Sequence, residues 1–280
     1  MMPCDLHVHT SASDGTDVPE KVVEDAYRAG LSALAITDHD TVDGIPPALE
    51  AGRKLSICVL PGVEFSTEEN GHELHILGYL FQLDHPELLE KLAFFRQTRL
   101  ERVVKMVERL RRLGIPVELE QVLELAGEGA VGRPHVARAL VQIGAVATIG
   151  EAFEKYIGKD RVAYVPRYKL APREAINLLH RAGGVAVLAH PGLTRCDYLI
   201  PRLVEHGLQG LEVYYPAHSQ EMVWYYEKLC RRYHLVATGG SDYHGSGHRE
   251  HGCLGASTVP DEVIWSLKEL AGQQTGPANI

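Results

Sequence analysis

This sequence lacks any C-x-x-C pair, and its five cysteines, Cys4, Cys58, Cys196, Cys230 and Cys253, are odd in number and widely dispersed. That excludes a disulfide framework and a thiolate zinc site. No apolar run approaches the roughly 18 residues of a membrane span. The N-terminus carries Asp and His where a signal peptide would have a basic segment followed by an apolar one, so a cytoplasmic protein is expected. Positive charge is also scarce. A formal charge of -9 leaves no broad basic surface for gripping duplex nucleic acid, although a local positive site is still allowed. Internal repeats and low-complexity segments are missing as well. What remains is 280 residues with 45% hydrophobic content, enough for one large α/β domain or one domain carrying an insertion.

The informative residues are polar and sit where apolar runs end. The alternation of Cys4 to Val8 reads as a strand, in which positions i and i+2 share a face, so His7 and His9 project side by side. Asp14 and Gly15 follow in a loop. A helix is expected over Pro19 to Ala29, then a buried strand at Leu31 to Thr37 that ends in Asp38-His39-Asp40, then a helix from Ile45 to Leu55. The run Ile57 to Phe65 delivers Glu64, and His72 to Leu80 delivers His75. Later apolar runs end in His190 and in the segment GGSDYHG with Asp242 and His244. Ligand-type side chains gathered where successive strands end are what a closed α/β barrel with one active face requires.

Residues 86–164 differ in character. Pro86 to Leu113 has the spacing of a long amphipathic helix, and shorter helices are expected at Leu119 to Ala126, Arg133 to Gln142 and Ile149 to Tyr156. The expected organisation is therefore a barrel from 1–85 and 165–280 with a helical insertion subdomain at 86–164 that contributes to substrate binding. Arg133 and His135 stand at a helix start, where a guanidinium and free N–H groups make a ready phosphate site. Arg161 is a further candidate substrate-binding residue. The other reading of these basic residues is a solvated face paired with neighbouring glutamates.

Collected, His7, His9, Asp14, His39, Glu64, His75, His190, Asp242 and His244 offer more imidazole and carboxylate donors than one metal can use. Two to three divalent ions, Mn, Fe or Zn, suit such donors, and ions about 4 Å apart can clamp both the attacking and the leaving oxygen of a phosphoryl group. Asp14, His39, Glu64, His190, Asp242 and His244 are the candidate catalytic members, with His190 or His244 able to pass a proton to the leaving oxygen. Activated water is the expected nucleophile, because no Ser or Cys with an adjacent base is indicated. His248 and His251, in a Gly-rich loop, are read as surface residues, and the tail from Gly272 as frayed.

The strings DLHVHTSASDG, TDHD, GVE, HELHILGY, AHPG and GSDYH together resemble the polymerase-and-histidinol-phosphatase (PHP) superfamily. That resemblance implies a distorted seven-stranded barrel with a three-metal phosphoesterase site. It further implies that His7, His9, Glu64 and Asp242 hold one metal, that Glu64 bridges to a second held by His75 and His190, and that Asp14, His39 and His244 hold a third. The helical insertion with GRPHVARAL is similar to a subfamily that removes the 3′-phosphate of nucleoside 3′,5′-bisphosphates and trims 5′-phosphorylated oligoribonucleotides. The expected partner is thus a small phosphorylated substrate, a nucleotide or short RNA, with no duplex DNA and no membrane. Two alternatives stay open: a small-metabolite phosphatase acting on a compound such as histidinol phosphate, and a non-catalytic metal-bound module of a nucleic-acid enzyme.

Overall fold

The computed structural model describes residues 2–127, 129–245 and 252–272, so His248, His251 and the tail beyond Gly272 lie outside the described residues. Eight strands form one sheet: β1 (Pro3–Val8), β2 (Ala33–Ile36), β3 (Cys58–Glu69), β4 (His72–Tyr79), β5 (Val185–Leu188), β6 (Gly210–Tyr214), β7 (Val236–Gly239) and β8 (Val259–Pro260), in the order β7-β6-β5-β4-β3-β2-β1-β8. β2 and β5 are buried along their whole length, the pattern of barrel strands covered on both faces. Leu6, Ala35, Leu60, Leu77, Tyr79, Val187 and Val259 form one interior cluster.

The barrel nearly closes. Past the end of β7 the chain runs beside the end of β1, where Asp242 N–H donates to His7 O at 2.9 Å and His9 N–H donates to Tyr243 O at 2.8 Å. The helices Pro19–Arg28, Ile45–Leu55, Pro172–Arg181 and Gln220–Tyr233 fall between strands, three of them opening with Pro in the first turn, where its missing N–H costs nothing. Two features differ from a purely parallel barrel. β4 runs antiparallel to both β3 and β5, because the two-residue turn Asn70-Gly71 returns the chain directly, and two residues cannot carry a crossover. The two-residue strand β8 pairs antiparallel with β1 and leads into a last helix, Glu262–Leu270, which the hydrophobic pattern alone did not single out.

The chain divides into two compact units, residues 1–90 with 169–280, and residues 91–168. The second is all helical, with helices at Leu119–Ala126, Arg133–Gln142 and Ile149–Ala152, the last continuing into a π-helical turn at Phe153–Ile157. It has its own core, in which Val103, Met106, Val107, Leu110, Val122, Val136 and Leu140 are almost fully buried.

Candidate metal centre

The strand ends of the barrel unit bring all nine acid and histidine candidates to one place. Their ligand atoms fall into overlapping groups that lie within 4.8 Å of one another: His9, Asp14, His39 and His244; His7, His190 and Asp242; His7, His9 and Glu64; and His39, Glu64 and His75. Glu64, on β3, is the hub. Its Oε1 is 2.8 Å from His75 Nδ1 and 3.2 Å from His190 Nε2, while its Oε2 is 3.0 Å from His39 Nδ1 and 3.3 Å from His9 Nε2. Opposite it, Asp242 Oδ1 stands 3.3 Å from His7 Nε2 and 3.2 Å from His9 Nε2. Asp14 Oδ1 approaches His244 Nε2 at 3.4 Å.

Two side chains reach this cluster through unusual backbone. His190 (φ 25°) and Asp242 (φ 54°) both have positive φ, which costs a non-glycine residue on the order of 1–3 kcal/mol and persists only where the surroundings enforce it. At His190 the enforcing contact is its own N–H donating to buried Glu212 at 2.8 Å. At Asp242 it is the barrel closure onto His7.

The electrostatics follow from burying imidazoles against carboxylates. Burial presses the His9 imidazole toward neutrality, but Asp242 and Glu64 outweigh it and raise its pKa to about 10. His75 behaves likewise, raised to about 9 against burial by Glu64 and Glu73. At His39 burial wins, aided by the nearby His9 and His75, and the pKa falls to about 4 despite Glu64 and Asp14. Burial would raise the carboxyls of Glu64 and Asp14, yet the surrounding histidines hold both well below the usual carboxylate range.

This donor set fits divalent cations. Among the described residues, His9 Nδ1 and His190 Nδ1 are buried with no hydrogen-bond partner, and His7 Nε2 and His9 Nε2 face each other at 3.1 Å while both face carboxylate oxygens. Two imidazole nitrogens and two carboxylates brought to one point are a donor set that a divalent cation can bridge.

Sequence reasoning assigned no role to the supports behind the ligands. Glu212, fully buried on β6, accepts a hydrogen bond from His7 Nδ1 at 2.9 Å, which fixes the tautomer that leaves Nε2 free to bind a metal. Its signal was available as a lone charge inside the apolar strand Gly-Leu-Glu-Val-Tyr. Tyr215 donates its hydroxyl to Asp242 Oδ2 at 3.0 Å. Asp5 accepts from Ser241 N–H at 2.9 Å and Gly255 N–H at 2.8 Å, tying the β7 end to β1.

The three candidate substrate-binding residues lie in the helical unit. Arg133 opens its helix with its guanidinium carbon 5.4 Å from the Phe153 ring centroid. His135 is buried, and its Nδ1 accepts from Gly132 N–H at 3.0 Å, capping that helix. Arg161 is exposed. Nearby in the same unit, burial together with Arg133, Arg167 and Arg99 pushes the Arg102 guanidinium down to about 9, the mark of a concentrated positive field.

Comparison with known proteins agrees with this geometry. A family profile described as the PHP domain matches residues 5–142. The chain is 39% identical over 247 residues to a 5′-3′ exoribonuclease of Escherichia coli, covering 86% of this chain and 84% of that one. The chain belongs to the PHP family. It is also 34% identical over 289 residues to a 3′,5′-nucleoside bisphosphate phosphatase of Chromobacterium violaceum, covering both chains completely. Among solved structures, a metal-dependent phosphoesterase from Bifidobacterium adolescentis superposes with a TM-score of 0.87 at 32% identity, covering 95% of this PHP protein and 96% of that chain.

Proposed function

We propose that this PHP protein is a metal-dependent phosphoesterase that converts nucleoside 3′,5′-bisphosphates to 5′-monophosphates and trims 5′-phosphorylated short RNA from its 5′ end. The observation that carries the reading is the cluster of nine converging imidazole and carboxylate groups at the strand ends. Two to three Mn, Fe or Zn ions fit it: one on His7, His9, Glu64 and Asp242, a second on Glu64, His75 and His190, and a third on Asp14, His39 and His244. When bound, such ions would neutralise phosphoryl oxygens and lower the pKa of the water that serves as nucleophile. The chain's own groups orient that chemistry. Glu64 and Asp242 position the ions, Glu212 and Tyr215 hold His7 and Asp242 in place, and His190 or His244 delivers a proton to the departing 3′-oxygen.

Specificity for a second phosphate is assigned to the helical unit, with Arg133 as the principal residue and His135 and Arg161 as companions. The field shared by Arg99, Arg102, Arg133 and Arg167 supports this, since an acidic protein has concentrated its guanidinium groups there. Arg133→Ala should cost about 2–3 kcal/mol, roughly 30- to 150-fold in kcat/KM, on adenosine 3′,5′-bisphosphate, and should leave a simple aryl monophosphate nearly unaffected. Equal losses on both substrates, or a wild-type enzyme with no preference for the bisphosphate over histidinol phosphate, would overturn the reading. Elemental analysis after reconstitution, finding at most one ion per chain, would remove its metal basis.

A further inference from the structure

A cleft of about 560 Å³ opens in the barrel unit, bounded by Gly192, Leu193, Arg195, Ala217, Met222 and Tyr225, with the acids Asp197 and Glu221 also in its wall. That volume lies within the roughly 300–1,000 Å³ of small-ligand pockets. The cleft begins two residues after His190 and two residues after Tyr215, so the loops that carry ligand-side groups also form its wall. A run of ring contacts joins the metal centre to the cleft: His190 to Tyr215 at 5.4 Å between centroids, Tyr215 to His218 at 5.3 Å, His218 to Tyr226 at 5.2 Å and Tyr226 to Tyr225 at 5.2 Å. The inner rings are fixed. His218 Nδ1 donates to Val213 O at 2.9 Å while its Nε2 accepts from Gly192 N–H at 3.2 Å, and Tyr226 donates to Asp197 at 3.1 Å. The outer members are not buried: Leu193 is 52% and Tyr225 42% exposed. Tyr226 and the exposed Tyr225 ring give the cleft a surface on which a base can stack, and Arg195 is, among the described residues, the one cation of a wall that also carries Asp197 and Glu221.

We infer that this cleft receives the nucleotide on the 3′ side of the attacked phosphate when the substrate is 5′-phosphorylated RNA. The inference rests on the proposed function and adds a subsite to it. In a nucleoside 3′,5′-bisphosphate and in RNA the same bond breaks. Water adds to phosphorus, the P–O3′ bond cleaves, and the 3′-oxygen leaves with a proton. The substrates differ in what else the phosphorus carries: free oxygens in the bisphosphate, and the O5′ of the next nucleotide in RNA, which remains on the released 5′-phosphorylated product. The next nucleotide therefore has to occupy space adjoining the metal cluster that the bisphosphate never enters. The cleft provides it, with Tyr225 and Leu193 against the base and Arg195 toward the backbone. Stacking tolerates every base, so the subsite confers chain recognition without sequence preference.

The test measures kcat/KM for a 5′-phosphorylated pentaribonucleotide and for adenosine 3′,5′-bisphosphate with metal-loaded protein, and compares their ratio between variants. Tyr225→Ala should lower the RNA-to-bisphosphate ratio by about tenfold, the scale of one lost stacking contact, and Arg195→Gln should lower it too. Tyr225→Phe, which keeps the ring, should retain the wild-type ratio. A ratio unchanged in Tyr225→Ala, or a Phe variant as impaired as the Ala variant, would overturn the inference while leaving the function intact. Should the wild type hydrolyse neither substrate, the functional reading falls. The cleft is then judged by fluorescence anisotropy of the labelled pentanucleotide, where equal affinity in wild type and Tyr225→Ala overturns it and a tenfold weaker variant supports it.

Discussion

The residues of the centre differ sharply in what their loss should do. Glu64 touches five imidazoles, so Glu64→Ala should remove bound metal and activity together, and Asp242→Ala should act likewise. Both losses should exceed those from His248→Ala or His251→Ala, as read by metal content and turnover; essential loop histidines would mean the ligand set is wrong. Glu212→Gln retains shape but weakens the hold on His7, and should lower metal affinity by the roughly 10- to 100-fold typical of a lost outer partner. The titration of the cluster gives a pH prediction whose sign depends on metal. In the metal-free protein His9 and His75 have pKa values raised to about 10 and about 9, above the unfolded value of 6.5. Their stabilisation is fully present below pH 6.5 and is lost as pH climbs through 9 to 10. Metal must displace those protons, so its affinity rises over the same range. Thermal unfolding from pH 6.5 to 10 should show the metal-free Tm falling and the shift caused by metal growing.

At the scale of elements, the centre depends on how β7 and its extension meet β1. A Cβ on Gly240 would stand 2.4 Å from both the backbone nitrogen and the Cβ of His7, so no side chain fits without moving the strand. Gly240→Ala should therefore destabilise by about 1–3 kcal/mol in denaturant unfolding and reduce metal content as His7 shifts. The β3–β4 hairpin is anchored differently. Tyr79, fully buried at the end of β4, donates its hydroxyl to Leu6 O at 2.8 Å across the barrel. Tyr79→Phe removes that hydrogen bond, and a loss of about 1–2 kcal/mol with metal binding retained is expected from the same measurement.

For the whole molecule, the division into two units makes the helical segment separable in principle. Its two ends lie together, Lys91 Nζ donating to Tyr168 Oη at 3.1 Å with Phe94 and Tyr168 ring to ring at 4.8 Å. Replacing residues 91–168 by a short Gly-Ser link should give a barrel that folds, binds metal and hydrolyses an aryl phosphate, but has lost its preference for the bisphosphate. Retained preference would place specificity in the barrel, while failure to bind metal would show that the helical unit supports the barrel's stability.

Much of the centre was legible in the sequence because metal ligands must be His, Asp or Glu, and a barrel presents them where apolar runs stop. The strand positions of His7, Glu64 and His75, the loops of Asp14, His39 and Asp242, and the helical character of the segment after Pro86 follow from local patterns. The antiparallel direction of β4 was open to reading from its two-residue turn, yet the run of strand signals pointed to a parallel barrel. Only tertiary structure decided which oxygens face which nitrogens around Glu64, since those contacts join residues up to 126 positions apart. It also decided the roles of Glu212 and Asp5, whose partners lie across the barrel, and the cleft at Tyr225. A stretch of sequence encodes its own periodicity and turn chemistry, whereas burial and pairing belong to groups that meet only after the chain has closed on itself.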